Sequence, residues 1–194
     1  MSEPKKVRTR ERMLASAADL LSTTGSGGVT IDRVLRESGA PRGSVYHHFP
    51  DGRAEMVTGA VALASEAMIS MLTAVAEQAT PQECLDYLVA FWKNRLETSD
   101  FTLGCPIVGA TIDDGSVPGL HELVAGTFDQ WHRLIAESLT GSGVAEARAR
   151  TLATVIMAAT EGAIVLSRAA GSTAPLDDVN LELRQSLDAA VAAA

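Results

Sequence analysis

The stretch from Thr30 to Phe49, T-I-D-R-V-L-R-E-S-G-A-P-R-G-S-V-Y-H-H-F, decides how the rest of the chain is read. Thr30 is placed to cap a helix, and Asp32 puts a negative charge in its first turn, where the helix dipole favours it. Ile31, Val34 and Leu35 fall on one face of that helix. Gly39 then stops it, because glycine enters the left-handed region without a Cβ clash. Pro41 is expected to open a second helix, where its missing N–H costs nothing. Two short helices across a glycine turn have the layout of a DNA-binding helix-turn-helix.

The second helix, Pro41 to His48, is expected to carry the reading chemistry. Only Val45 and Phe49 look inward, while Arg42, Gly43, Ser44, Tyr46, His47 and His48 are polar or small. Serine and arginine suit base edges, and tyrosine and histidine suit phosphate. Gly43 leaves the helix start bare for close approach of a phosphate. An amphipathic helix with a solvated polar face would show the same periodicity, so this segment does not settle the matter alone.

The run Gly39-Ala-Pro-Arg-Gly-Ser-Val-Tyr-His-His-Phe49-Pro-Asp-Gly-Arg53 resembles the signature of the TetR family of bacterial transcriptional regulators. Its Phe-Pro-x-Gly-Lys/Arg ending is similar to the branch that controls drug-resistance and oxygenase genes. Two positions depart from the family pattern: Pro41 stands for the usual capping Ser, and Arg53 for the usual Lys. The resemblance covers roughly the first quarter of the chain; beyond that, only the helical character agrees. It implies a homodimeric repressor that a small ligand releases from a palindromic double-stranded operator. By this reading Arg42, Ser44 and Tyr46 contact bases or their surroundings, with Gly43 between them. Thr30, His47, His48 and Arg53 grip phosphate. Half-sites are expected about one helical turn or slightly more apart.

Charge distribution agrees with a DNA-facing end. The 194 residues carry a net −8, yet nine basic and six acidic residues up to Arg53 leave +3 there and −11 in the remainder. Met1 to Val7 is read as a loose arm whose Lys5 and Lys6, with Arg8 just beyond, follow the DNA backbone or enter the minor groove; a plain solubilising tail fits equally well. Two cysteines, Cys84 and Cys105, are too few for a disulfide framework or zinc ribbon. The charged N-terminus and the expected lack of any apolar run of membrane-spanning length lead to the expectation of a cytoplasmic protein without a membrane partner.

The remaining pattern is helical throughout, with no alternating β-branched runs. Helices are expected over roughly 8–22, 53–78, 81–98, 106–112, 118–140, 145–169 and 176–193. The expected fold is all-α: a three-helix head over residues 1–52 and a larger ligand-binding and dimerisation domain over 53–194. The long helix from Arg53 would act as a lever between them. Met68, Met71, Phe91, Trp92, Phe101, Phe128, Trp131 and Met157 are candidates to line a cavity for an apolar or aromatic effector. Arg95, His121, His132, Thr160 and Glu161 are candidates to orient it, and Cys105, in the Gly104-Cys-Pro break, to border it. Taken singly, the apolar ones are more often ordinary core and the polar ones more often surface or capped residues. Val155, Ile156, Val165 and Leu166, with Ala158, Gly162 and Ala169, make the 145–169 helix apolar on most of its circumference. With the last helix it would form an intersubunit four-helix bundle, as the resemblance implies.

Two other classes are weighed. A helical enzyme would have to draw on Cys105, His121, His132, Asp113 and Asp114, which show no metal-ligand spacing, phosphate loop or nucleophile elbow. A ligand-binding helical protein without DNA binding would not need the intact head. No cofactor and no metal site is expected.

Overall fold

The computed structural model describes residues 5–112 and 115–192, with side chains from Thr9 onward. Among the described residues the chain is all-α, with nine α-helices and no strand. In order they are α1 (Lys5–Thr24), α2 (Ile31–Ser38), α3 (Val45–His48), α4 (Arg53–Ala76), α5 (Pro81–Thr98), α6 (Pro106–Thr111), α7 (Leu120–Gly141), α8 (Glu146–Ala170) and α9 (Ala174–Ala192). They divide into two compact units. One holds α1 to α3, α4 as far as Ala67, and residues 105–127; the other holds residues 68–104 and 128–194.

In the first unit, α1 places Met13, Leu14, Ala17 and Leu21 at helical spacing, all buried. They share this unit's core with Val34 and Leu35 of α2, Val45 of α3, Phe49 and Met56. The Arg10 guanidinium lies 5.1 Å from the centre of the Phe49 ring, a cation–π contact that ties α1 to the end of the reading helix. Arg12 donates to the Ser38 carbonyl at the end of α2, close to Gly39. α6 packs on α1 so closely that Gly109 leaves no room for a side chain against the Leu21 carbonyl.

In the second unit, Trp92 and Leu96 of α5, Leu139 of α7, Leu152 and Ile164 of α8, and Leu176 and Leu187 of α9 are buried. α5 starts on a capping box: Thr80 Oγ1 accepts from the Glu83 N–H at 3.3 Å, and the Glu83 carboxylate accepts from the Thr80 N–H at 2.8 Å. Hydrogen bonding from the Thr80 backbone and hydroxyl holds the Glu83 carboxyl below its ordinary range. Asp86 ties α5 to α9 by accepting from Asn180 Nδ2 at 3.0 Å and from Arg184.

Several boundaries differ from the sequence reading for identifiable reasons. α1 starts at Lys5, so Lys5 to Val7 are helical rather than a loose arm. Pro118 does not open α7, because Gly119 is left-handed (φ 74) and the helix begins at Leu120. The expectation about apolar runs is also corrected. Arg53–Ala76 and Glu146–Ala170 are, by length and composition alone, long and apolar enough to cross a membrane. Alanine, valine and methionine raise their hydropathy, and such a composition also serves a helix that buries several faces in protein.

Candidate nucleic-acid interface and ligand cavity

The helix-turn-helix is built by local chemistry. Thr30 Oγ1 accepts from the Arg33 N–H at 3.3 Å and caps α2. Gly39 closes α2 in the left-handed conformation, φ 62. The next turn corrects the sequence reading. Pro41 stands before the helix in extended backbone (φ −64, ψ 135), not within it. Arg42–Ser44 form a 3-10 turn, in which the Ser44 N–H donates to the Pro41 carbonyl at 3.0 Å. The Ser44 hydroxyl donates to the same carbonyl at 2.6 Å. Gly43 is a poor helix former and Ser44 competes for the backbone, so the α-helical part shrinks to Val45–His48.

Val45 and Phe49 are buried and fix this element from below. Above them the polar residues form an exposed face. Tyr46 is 70% exposed, large for a tyrosine with no partner to cover it. A Cβ added at Gly43 would meet nothing within 4 Å, so its backbone is open to approach. Arg42 pairs with Asp32 at 3.1 Å, both side chains largely in solvent, a contact worth about 0–1 kcal/mol and easily exchanged for a phosphate. The rings of His47 and His48 sit 5.3 Å apart at the helix end, with His47 exposed and His48 half-buried.

Arg53 is placed differently from the others. Its Nε donates to the Val29 carbonyl at 2.8 Å, and its two terminal nitrogens to the Ser26 carbonyl at 2.6 Å and to Ser116 Oγ at 2.9 Å. Three oxygens around one guanidinium need the planar fork of arginine; a lysine ammonium has a different reach and geometry. This gives a physical account of arginine where the family pattern has lysine. The side chain clamps the loop before Thr30. The Lys5, Lys6 and Arg8 side chains, and Asp113 and Asp114, lie outside the described residues.

The second unit holds two cavities that share four wall residues, Leu72, Leu88, Ile135 and Ile156. The larger, about 450 Å³, is walled mainly by apolar groups from α4, α5 and α7, with Ile156 and Leu187, and has Glu77 and Glu137 among its lining. Among the described residues, no lysine, arginine or histidine lines it. The smaller, about 30 Å³, is walled by Met68, Trp92, Trp131, Met157, Thr160 and Glu161 among the sequence candidates. Phe91 stacks edge-on with Trp92 at 5.3 Å but is 37% exposed, and Phe128 meets Trp131 at 5.8 Å.

The remaining candidates do not line either cavity. Met71 and Arg95 are half-buried. Phe101 occupies left-handed backbone (φ 56) just after α5, with its N–H donated to the Leu96 carbonyl at 2.7 Å. The His132 ring is held by the Arg150 carbonyl at 2.9 Å and Thr154 Oγ1 at 3.1 Å, which joins α7 to α8. Cys105 is buried in the other unit, at the start of α6. Sequence reasoning missed the walls of the larger cavity. Cys84, Leu85 and Leu88 line it from α5, and burial raises the Cys84 thiol pKa, with Glu83 adding to it.

A short reading helix on two buried anchors, an open polar face and a glycine-turned preceding helix define a helix-turn-helix DNA-binding transcriptional regulator. Residues 13–58 match the family model of bacterial regulatory proteins, tetR family, and residues 81–182 match the C-terminal domain of transcriptional regulators of the LmrA/YxaF-like type. An uncharacterised HTH-type transcriptional regulator of Mycobacterium tuberculosis is 36% identical over 184 residues, 92% of this chain and 93% of that relative. The chain belongs to the TetR family of transcriptional regulators, which are not enzymes. The fold matches a TetR transcriptional regulator from Legionella pneumophila with TM-score 0.80 at 18% identity, over 96% of this chain and 98% of that one. It also matches the TetR family regulator CifR, solved with a 26bp double-strand operator, with TM-score 0.71 at 17% identity, over 92% and 95% of the two chains.

Proposed function

We propose that this regulator is a cytoplasmic homodimeric repressor, released from a palindromic operator when a small apolar or aromatic molecule enters the cavities of the second unit. Residues 1–52 serve as the reading head, and 53–194 as the sensing and dimerising part. The observation that carries the DNA side is the face of exposed Arg42, Gly43, Tyr46 and His47, with half-buried Ser44 among them, above buried Val45 and Phe49. Thr30 and His48 flank it, and the first residues of α1 supply further cations.

Pairing of two chains is supported by an apolar face without cover in the single chain. On α8, Val155, Val165 and Leu166 are 49%, 54% and 59% exposed, with Ala158 and Gly162 between them, and Leu181 of α9 is 59% exposed. Small residues let a second helix approach closely, and a two-fold dimer matches a two-fold operator. This purpose also accounts for the high hydropathy of α8 without a membrane.

Release needs only that the ligand bind one spacing of the two heads better than the other. α4 is one continuous helix that begins at Arg53 beside the head loop and ends at Ala76, a lining residue of the larger cavity. Fluorescence anisotropy with labelled duplexes from the gene's own upstream region tests the reading face. Tyr46→Ala and Ser44→Ala are expected to abolish specific binding while the thermal midpoint stays unchanged. Wild-type affinity in both variants would defeat the assignment. Binding is expected to weaken on the order of 10³-fold between 50 and 200 mM salt if six or more phosphates are neutralised.

A further inference from the structure

Among the described residues of the second unit, five buried side-chain hydrogen-bonding atoms have no partner, and two of them, Trp131 Nε1 and Thr160 Oγ1, belong to residues of one cavity wall. Their residues are 6% and 4% exposed, and both wall the smaller cavity. Leaving such groups unsatisfied is costly, so two of them in the wall of one small cavity would favour a guest that brings an oxygen there. The indole N–H can only donate, whereas the threonine hydroxyl donates or accepts. A single group that meets both must accept from the indole, and a carbonyl oxygen, with two lone pairs, can accept from the hydroxyl as well.

The charge around the cavities narrows the class. Glu161 walls the smaller one and Glu77 and Glu137 line the larger, while among the described residues no lysine, arginine or histidine lines either. A carboxylate or phosphate would enter without a counter-charge and beside like charge, which is unfavourable in a site of low polarity. The volumes divide the ligand into two parts. About 30 Å³ takes one small group, and about 450 Å³ takes a body of two or three rings against Leu72, Leu88, Ile135 and Ile156.

We propose that the effector is a neutral, flat, apolar molecule whose terminal carbonyl oxygen enters the smaller cavity and accepts from Trp131 Nε1 and Thr160 Oγ1, with its ring body in the larger one. This deepens the reading of the second unit as the effector site and rests on it. The two residues set specificity: they choose an oxygen over a methylene at one end of an otherwise apolar guest.

The test uses the full chain and two probes of matched shape, 2-acetonaphthone and 2-isopropenylnaphthalene, which differ by a carbonyl oxygen against a CH2. Isothermal titration should show the ketone binding about five- to tenfold tighter, the usual worth of a net hydrogen bond. Thr160→Val keeps the shape and removes the hydroxyl, and Trp131→Phe removes the N–H. Each should shrink the preference, and the double variant should bring it within twofold, while Thr160→Val holds the hydrocarbon within threefold of wild type. Equal binding of both probes to the wild type, as expected if the pair serves a structural water, overturns the proposal and leaves the apolar site standing. So does a preference that survives both substitutions. Failure of both probes to bind would overturn the effector reading along with it.

Discussion

Gly109→Ala is the substitution whose cost the structure states most plainly. A Cβ at this position would lie 2.0 Å from the Leu21 carbonyl oxygen, 2.7 Å from its carbon and 3.3 Å from Ser22 Cα. All three are backbone atoms of α1, so no rotamer change relieves the clash. A carbon–oxygen contact needs about 3.3 Å, so α1 and α6 would have to part by about 1.3 Å along that line. Overpacking of a tight interior costs about 1–3 kcal/mol, and a clash against backbone on both sides belongs at the upper end. For a chain of this length about 3 kcal/mol corresponds to a fall of roughly 6–12 °C in thermal midpoint. Gly126→Ala is the control: it sits within α7, and its new methyl would meet nothing within 4 Å. It should raise the midpoint slightly, through a gain of about 0.4–1 kcal/mol. Differential scanning calorimetry gives the midpoints, and anisotropy with the upstream duplex shows whether the strained α1 still supports the reading helix. A Gly109→Ala protein that melts and binds DNA like the wild type would refute the packing of α6 on Leu21.

Leu166→Glu puts a carboxylate on the exposed apolar face of α8 and should weaken pairing on the order of 10³-fold. Light scattering should then report the mass of one chain, and a dimer of undiminished strength would remove α8 from the interface. Asp86 gives a pH test of the α5–α9 tie. Burial pushes its pKa up, but hydrogen bonds from Asn180 and Arg184 and the charge of Arg184 outweigh this and lower it. A lowered folded pKa means stability that is present above the ordinary carboxylate range and lost as pH falls through the folded value. Asp86→Asn should therefore melt below the wild type at pH 7, and the gap should close as the wild type is titrated below about pH 4. A gap independent of pH would show that the charge of Asp86 plays no part.

The head was legible because its signals are local. Thr30 as a cap, Gly39 as a left-handed stop and Val45 and Phe49 as anchors each depend on a few neighbouring residues, and the structure has them in those roles. Local competition misled the reading just where two signals overlapped. Pro41 reads as a helix opener, but Gly43 and the Ser44 hydroxyl turn the next three residues into a 3-10 turn. Pro118 was overruled in the same way by Gly119.

The cavity was less legible because it is a property of convergence. Leu72, Cys84, Leu139 and Leu187 come from four different helices, and no spacing along the chain announces that they meet. Cys105 was expected at the cavity border, yet it lies in the unit that α6 forms with α1, since that packing follows from contacts distant in sequence. Arg53 reads as a phosphate-binding residue by its position at a helix start. Only the tertiary arrangement shows Val29, Ser26 and Ser116 around its guanidinium.

A footprint on the DNA upstream of the gene tests the central claim most directly. A dimer that reads with two copies of α3 should protect two patches about one helical turn apart, lose both together in Tyr46→Ala, and run as a dimer in the absence of DNA. An unprotected upstream region, together with a single-chain mass at working concentration, would contradict it.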